Sequence, residues 1–359
     1  MKASGKTNAW RRGANQLVEP DCVAGQLMRI RNLKHFHPAL SLLLFLVVFT
    51  TACDIVSSPG AFDSPLYVAN SGGDSITIYA PFSNGPAAPI RTISGLTSPS
   101  GVAVNAAGET FVANSSTNSI TVYSLGANGN AAPIRTISGL LTQLDNPQGI
   151  ALDAAGNLYV ANVGTTTPPT PTPSSITVYG PTATNNAAPI NKISGASTGL
   201  DHPQGVILDA TGNIYVANAS ITTNSITVYG PTATGNAPPI RTISGASTGL
   251  ANPIGVGLDT TVNLYVANAG GTTSSITVYA PGINGDMPPT RTISGTLTGL
   301  ASPQGVVLDP TGRLYVANNG TPPSITVYTP GAMNNAIPIR TITGSATGLS
   351  QPLFIALRP

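Results

Sequence analysis

The chain has 359 residues, of which 39 are Gly and 32 Pro, and only 8% are charged. Its formal net charge of +2 belongs to the first 52 residues, because from Cys53 onward 8 Lys and Arg stand against 11 Asp and Glu. That balance excludes a basic footprint, so no nucleic-acid partner is expected.

The N-terminus reads as an address. Residues 1–27 fit no signal pattern and form an upstream extension, with Met28 as the start of a signal peptide over 28–52. Arg29, Arg31 and Lys34 supply its basic region, and the apolar run Ala39–Phe49 follows. Those 11 residues fall short of the roughly 20 that cross a bilayer as a helix. Thr50-Thr51-Ala52-Cys53 resembles the lipobox of bacterial lipoproteins, in which the Cys is acylated and becomes the mature N-terminus. Thr50 stands where that family usually has Leu, and Thr50-x-Ala52 also suits ordinary signal peptidase. The chain has only Cys22, upstream of the signal, and Cys53. An exported chain would carry a single Cys at its first residue, which lipidation explains. The expectation is an exported cell-envelope lipoprotein held to the membrane by lipid at Cys53 alone, with free secretion as the alternative. Residues 53–64, rich in Ser, Pro and Gly, are the tether, reaching at most about 35 Å.

From residue 65 to 359 the chain is a repeat. LYVAN at Leu66–Asn70 is followed by SITIY at Ser75–Tyr79, and the pair recurs in 111–123, 158–179, 214–229, 264–279 and 314–328. Self-similarity at such a period indicates a repeat architecture. Each full unit holds four strand-like pieces, here called A to D. In the third unit they are Gly149–Asp153, Leu158–Asn162, Ser175–Tyr179 and Pro189–Ser194. Gly and Pro recur at fixed places between them and punctuate turns. Four short strands in a meander make a β-propeller blade. Strand A appears at 101–105, 149–153, 205–209, 255–259, 305–309 and again at 353–357. The first B has no A before it, and the last A has no B after it. The sequence therefore predicts an all-β, six-bladed propeller with four antiparallel strands per blade, its ring closed by 353–357 completing the blade of 66–94. A monomer is expected. In the A–B turns, Asp153, Asp209, Asp259 and Asp309 can accept from turn amides, and Gly156, Gly212 and Gly312 supply positive φ. Val262 in the fifth unit should strain or reshape its turn.

The pattern P-x-G-[IV]-x-[LV]-D-x-x-G-N-[LI]-Y-V-A-N resembles the NHL repeat and, more broadly, the six-bladed propellers of the gluconolactonase and streptogramin-lyase type. The resemblance covers 66–357. It implies the fold and leaves function open, since that fold hosts enzymes, sensors and scaffolds. This chain has Asn rather than Asp after YVA.

Loop lengths point to one face. The C–D loops are all nine residues long, whereas the B–C loops run from four residues (Ser71–Asp74) to twelve (Val163–Ser174), and the D–A loops vary too. Variation confined to one face of a repeat array marks a binding face. The channel end on that face should be ringed by Ser98 and Ser100, Asn146 and Gln148, His202 and Gln204, Asn252 and Ile254, Ser302 and Gln304, and Gln351 and Leu353. The ligand-binding candidates are Asn146, Gln148, His202, Gln204, Asn252, Gln304 and Gln351. These groups donate and accept, which suits a sugar or a peptide backbone. They also suit mere satisfaction of neighbouring backbone. For catalysis, Asp201 beside His202 is the acid/base pair on offer, with no second base nearby. Glu109 falls in an A–B turn on the other face. No metal or cofactor is expected, because convergent carboxylates cannot be assembled. The eleven Tyr all fall on strand positions and read as core. Arg91, Arg135, Arg241, Arg291 and Arg340 read as guards of the outer strand edge. The expected function is a non-catalytic binding scaffold for a protein or glycan of the cell envelope. The alternatives are a propeller hydrolase or lyase working at the channel, and a purely structural surface protein.

Overall fold

Runs of about five residues rich in Val, Ile, Tyr and Thr, bounded by Gly, Pro, Asn and Asp, fold as strands because branched and aromatic side chains fit a pleated, buried surface. The computed structural model describes residues 64–165, 172–220, 223–271 and 274–359. The expected upstream extension, signal peptide and tether up to residue 63, Cys53 included, lie outside the described residues, as does 166–171 of the long B–C loop.

The described chain forms six four-stranded antiparallel sheets. The inner A strands are Pro352–Leu357, Pro99–Val104, Pro147–Leu152, Pro203–Leu208, Pro253–Leu258 and Pro303–Leu308, for blades 1 to 6. In the same blade order the B strands are Leu66–Asn70, Thr110–Asn114, Leu158–Asn162, Ile214–Ala219, Leu264–Asn268 and Leu314–Asn318. The C strands are Ser75–Tyr79, Ser119–Tyr123, Ser175–Tyr179, Asn224–Tyr229, Ser275–Tyr279 and Ser324–Tyr328. The outer D strands are Arg91–Ser94, Arg135–Ser138, Asn191–Ile193, Arg241–Ser244, Arg291–Ser294 and Arg340–Thr343. The six-bladed propeller and its closure are as the sequence predicts. Leu66 pairs with Leu357 and Val68 with Ile355, so the C-terminal strand completes the first blade. The A strands begin one or two residues earlier than expected, at the repeated Pro, which is tolerated as the first residue of a strand because its missing N–H breaks no interior ladder bond.

Two devices bring the blades together. At the inner edge, a Cβ on Gly101, Gly149, Gly205, Gly255 or Gly305 would run into main-chain atoms of the next inner strand. The repeated P-x-G is thus a close-approach glycine, and Phe354 takes its place in blade 1. At the outer edge, each nine-residue C–D loop lends one parallel bridge to strand D of the preceding blade: Gly85 to Ile342, Gly129 to Ile93, Asn185 to Ile137, Gly235 to Ile193, Gly285 to Ile243 and Asn334 to Ile293. These loops, rather than the Arg residues, guard the outer edge. The Arg side chains lie flat on strand B instead. Arg241, Arg291 and Arg340 donate to the hydroxyls of Tyr215, Tyr265 and Tyr315 and stack over those rings. Blade 2 has Phe111 in that place, and Arg135 stacks on it and turns to Glu109 at 3.0 Å.

The apolar core lies between neighbouring blades. Tyr215, Ile226 and Val228 of blade 4, for instance, pack on Val256, Leu264 and Tyr279 of blade 5. Polar residues are sealed into it in a repeated lock. The Asn that follows Val-Ala in each strand B is buried and donates through Nδ2 to the strand C Thr, as Asn162 does to Thr177 at 2.9 Å. Its Oδ1 accepts the N–H of the loop entering strand A: Asp145 onto Asn162, Asp201 onto Asn218, Ala251 onto Asn268, Ala301 onto Asn318 and Ser350 onto Asn70, all at 3.0–3.2 Å. The strand C Tyr holds the same loop by donating to the carbonyl of its buried Thr, as Tyr229 does to Thr198 at 2.6 Å. Burial of Tyr79, Tyr229, Tyr279 and Tyr328 pushes each hydroxyl pKa up to about 12. Asp after YVA could not donate to the Thr hydroxyl, and burying its charge there would be costly, which accounts for the Asn of this repeat.

The lock predicts a contrast between blades. Tyr229→Phe leaves the Thr198 carbonyl without its donor and should lower stability by about 1–2 kcal/mol. Tyr123→Phe, in the one blade whose entering loop has no such Thr, should stay within about 0.5 kcal/mol of the parent. Urea unfolding monitored by tyrosine fluorescence measures both.

Candidate functional site

The meander places A–B turns and C–D loops at one end of every blade, and B–C and D–A loops at the other. The expected ring residues lie at the second end, on two levels. Ser98, Asn146, His202, Asn252, Ser302 and Gln351 each precede the Pro of strand A and adopt left-handed backbone, with φ of 48–51°. A non-glycine residue is strained there. The conformation is held because each carbonyl accepts the N–H that follows the buried Asn of strand B, as Asn146 does from Val163 and His202 from Ala219. The N–H of Ser98, Asn146 and Ser302 is taken by a B–C residue of the preceding blade, namely Asp74, Asn118 and Ser274. For these six the backbone role dominates, and it is repeated at every junction.

Two residues on, Ser100, Gln148, Gln204, Ile254, Gln304 and Leu353 occupy equivalent places on successive inner strands. Gln148, Gln204 and Gln304 are half-buried and donate through Nε2 to the carbonyl of the left-handed residue behind them. No donor among the described residues reaches their Oε1. Ser100 is buried and donates to the carbonyl of Pro147. Ile254 is buried, and Leu353 is half-buried. Amides therefore occupy three of the six places. Asn252 and Gln351 are exposed at the rim.

The structure does bring Asp201 and His202 together, with Nδ1 to Oδ1 at 2.7 Å. The hydrogen bond from Ser220 is the main influence that lowers the Asp201 pKa, partial burial opposes it, and His202 adds to the lowering. Asp201 thus stands between a hydroxyl and an imidazole. In a nucleophile-activating relay the imidazole must stand between the other two. A carboxylate held ionised in this way is also poorly suited to donate a proton. Asp145 lies at the equivalent position one blade earlier and accepts from the Thr172 hydroxyl. Glu109 is on the other face, bound to Asn105 and Arg135. Among the described residues no three His, Cys, Asp or Glu gather as metal ligands would.

The hollow space lies at the opposite end of the channel from this ring. Two adjoining cavities of about 660 and 430 Å³ open among the C-terminal halves of the inner strands and the A–B turns. Their walls are apolar, with Leu152, Leu208, Leu258, Leu308 and Leu357 among them, and Arg358 at the edge donates to the Ala106 carbonyl. The sequence reading missed this chamber, although a Leu or Val before each A–B turn, one per repeat, was a visible sign of it. At its mouth the turn carboxylates are committed to their own loops, as expected. Asp209 Oδ1 accepts from the N–H groups of Thr211 and Asn213 at 2.9 and 3.0 Å, and Oδ2 accepts from Asn213 Nδ2. Val262 keeps the glycine conformation of its turn at φ 64°, which strains a β-branched residue, and it also lines the smaller cavity.

No family model matches the chain, and no curated protein matches it. Similarity appears among solved structures. A chain of the nidogen/laminin complex aligns with a TM-score of 0.57 at 18% identity, over 82% of this chain and 98% of that one. A protein of unknown function from Bacteroides caccae aligns with a TM-score of 0.59 at 13% identity, over 82% and 98%. The PQQ-bound aldose sugar dehydrogenase of Streptomyces coelicolor aligns with a TM-score of 0.50 at 15% identity, over 74% and 86%. At these identities the likeness is one of fold.

The A–B turns predict an acid response. For Asp209 and Asp259, partial burial is the largest single influence and pushes the pKa up, yet hydrogen bonds from Thr211 and Asn213, and from Asn263 and Thr261, together outweigh it and hold the pKa below the ordinary aspartate value. A depressed folded pKa gives stability that is present above the unfolded value of about 3.9 and is lost as pH falls through the folded one. The thermal midpoint should decline as pH drops below about 4. The double variant Asp209→Asn with Asp259→Asn should show a shallower decline in calorimetry at pH 2–5, roughly the range over which these carboxylates titrate.

Proposed function

We propose that the protein is an exported, envelope-tethered, non-catalytic propeller that binds a protein or glycan by the face carrying its B–C loops. The observation that carries this reading is the unequal use of polar groups at the two ends. On the A–B face the Asp, Asn and Arg side chains are spent on turns and on strand B, and the C–D loops on the neighbouring blade. On the B–C face Gln148, Gln204 and Gln304 keep an open carbonyl oxygen beside loops of unequal length. Amides at the end of a rigid ring suit hydrogen bonding to sugar hydroxyls or to a peptide backbone. The nidogen/laminin structure, in which a chain of this fold is part of a protein complex, is in keeping with that use. A purely structural surface role would leave those carbonyls without a purpose.

The apolar chamber favours a second reading, in which a small uncharged molecule enters from the A–B face. A hydrolase or lyase has less support, because Asp201 and His202 stand at the other end of the channel from this chamber. The address rests on the residues around Cys53.

A glycan array and defined envelope proteins, probed with the propeller, test the main reading. The triple variant Gln148→Ala, Gln204→Ala and Gln304→Ala should weaken binding at least tenfold while leaving the thermal midpoint within a few degrees. Undiminished affinity would remove the ring from the site. For the anchor, Cys53→Ser should move the protein from the membrane to the soluble fraction. An unmodified Cys53 in the mature protein, read by intact mass, would refute lipidation.

A further inference from the structure

Two places in the ring break the repeat by setting a large apolar side chain where the other blades carry glycine. Strand A has its close-approach glycine in five blades and Phe354 in blade 1. The A–B turn has Gly108, Gly156, Gly212 and Gly312, but Val262 in blade 5. Val262 is held at φ 64°, where a β-branched residue is strained, and such strain gathers at binding sites. Both departures line the same hollow. Phe354 lines the larger cavity and Val262 the smaller, and the two cavities share Ile207, Val307 and Leu357 in their walls.

The inner end of this chamber lies at the level of the close-approach glycines, since Gly205 and Phe354 line it and the ring glutamines do not. From Gly205 to Asp209 at the mouth is four strand steps, a depth of about 13 Å. Volumes of about 660 and 430 Å³ over that depth suit a drug-sized molecule. Leu152, Leu208, Leu258, Leu308 and Leu357 stay only half-buried on the wall, which leaves apolar surface for a ligand to cover. The mouth sets the charge. Asp209, Asp259 and Asp309 line the smaller cavity and Asp153 the larger, against Arg358 and against Arg313, which is 3.6 Å from Asp309. Negative charge prevails there and opposes an anionic ligand. Both oxygens of Asp153, Asp209 and Asp259 accept from their own turns, so a cation finds no open acceptor on them.

We propose that this chamber is a binding site for an uncharged aromatic or fused-ring compound, and that Phe354 and Val262 set its affinity. Phe354 offers a ring to stack against at the inner end. Val262 adds apolar surface at the mouth, where the repeat has none. The proposal gives a ligand class to the second reading above and owes nothing to the B–C face. The triple glutamine variant therefore leaves it untouched, and either site can fail without the other.

The test titrates N-phenyl-1-naphthylamine, an uncharged probe whose emission rises in apolar surroundings, into the full chain. Saturable one-to-one binding is expected. 8-Anilino-1-naphthalenesulfonate, the same ring system with a sulfonate, should bind about tenfold more weakly at low salt. Asp209→Asn with Asp259→Asn should narrow that gap. 1-Naphthylmethylammonium should displace the probe no better than 1-naphthalenemethanol does. Phe354→Gly with Val262→Gly gives both places the residue of the other blades and relieves the strain at 262. This variant should keep a cooperative thermal transition and bind the probe several-fold more weakly. Should the pair not fold, Val262→Gly alone reads the same loss at the mouth. A probe that does not saturate, that binds the folded variant as it binds the parent, or that is matched by the sulfonate or outdone by the ammonium overturns the proposal.

Discussion

The buried amide at the end of strand B is the contact on which the rest of the ring depends. A propeller's inner strands can line a channel only if each entering loop delivers its strand at one height and angle. Here the loop carries at most a single 3-10 turn, such as Leu140–Thr142 or Ala246–Thr248, and no disulfide. It is fixed from beneath, by Asn Oδ1 on one of its N–H groups and by Tyr hydroxyl on one of its carbonyls. Both groups are removed from water, so an unmade bond leaves a full desolvation cost behind. The left-handed residue before each Pro follows from this. The chain must turn sharply from the pinned loop into the inner strand, and the strain is tolerated because flanking hydrogen bonds determine the conformation from both sides.

A second constraint works at the rim. Outer strands expose a row of unpaired main-chain groups, which invites edge-to-edge association. The nine-residue C–D loops answer this by reaching across to the preceding blade. Their constant length is then a geometric requirement, since a loop one residue shorter could not place Gly85 or its equivalents beside strand D. With the rim occupied in this way, the Arg residues are released to stack on strand B aromatics, and blade 2 shows the coupling. Where Tyr gives way to Phe111, the Arg loses a hydroxyl partner, and Glu109 supplies a carboxylate in its place.

The fold was legible because period, turn residues and strand composition agree at every repeat. Strand count and closure could be read from the unmatched B at Leu66 and the unmatched A at Leu353. Strand A began earlier than read because Pro looks like a boundary in sequence but is accepted as a first residue in three dimensions. The Arg series was misjudged for a related reason: periodicity assigned it to the outer strand correctly, while the stacking partner came from a strand two places away. The candidate site was only partly legible. The positions of Gln148, Gln204 and Gln304 at one channel end followed from topology. That their Nε2 groups turn back on their own chain, and that free space gathers at the opposite end, depend on side-chain direction and on channel taper, which spacing does not encode.

What distinguishes one blade from another carries more information about function than what they share. Repetition at six equivalent places explains LYVAN and SITVY as packing, and the αL junctions as architecture. A departure has to be explained one position at a time. Arg313 in place of the turn Asn leaves Asp309 Oδ2 without a hydrogen bond, but Arg313 itself stays 3.6 Å away and stacks on Phe82, so the change is compensated locally. Phe111 with Glu109 is compensated in the same way. The loop entering blade 2 is different: it is four residues shorter than the others between Gly95 and Leu96, and neither Asn114 Oδ1 nor the Tyr123 hydroxyl finds a partner among the described residues. In a ring where each other loop is pinned at both groups, the loop entering blade 2 is held instead by Asp74 of the preceding blade, through the N–H groups of Leu96 and Ser98.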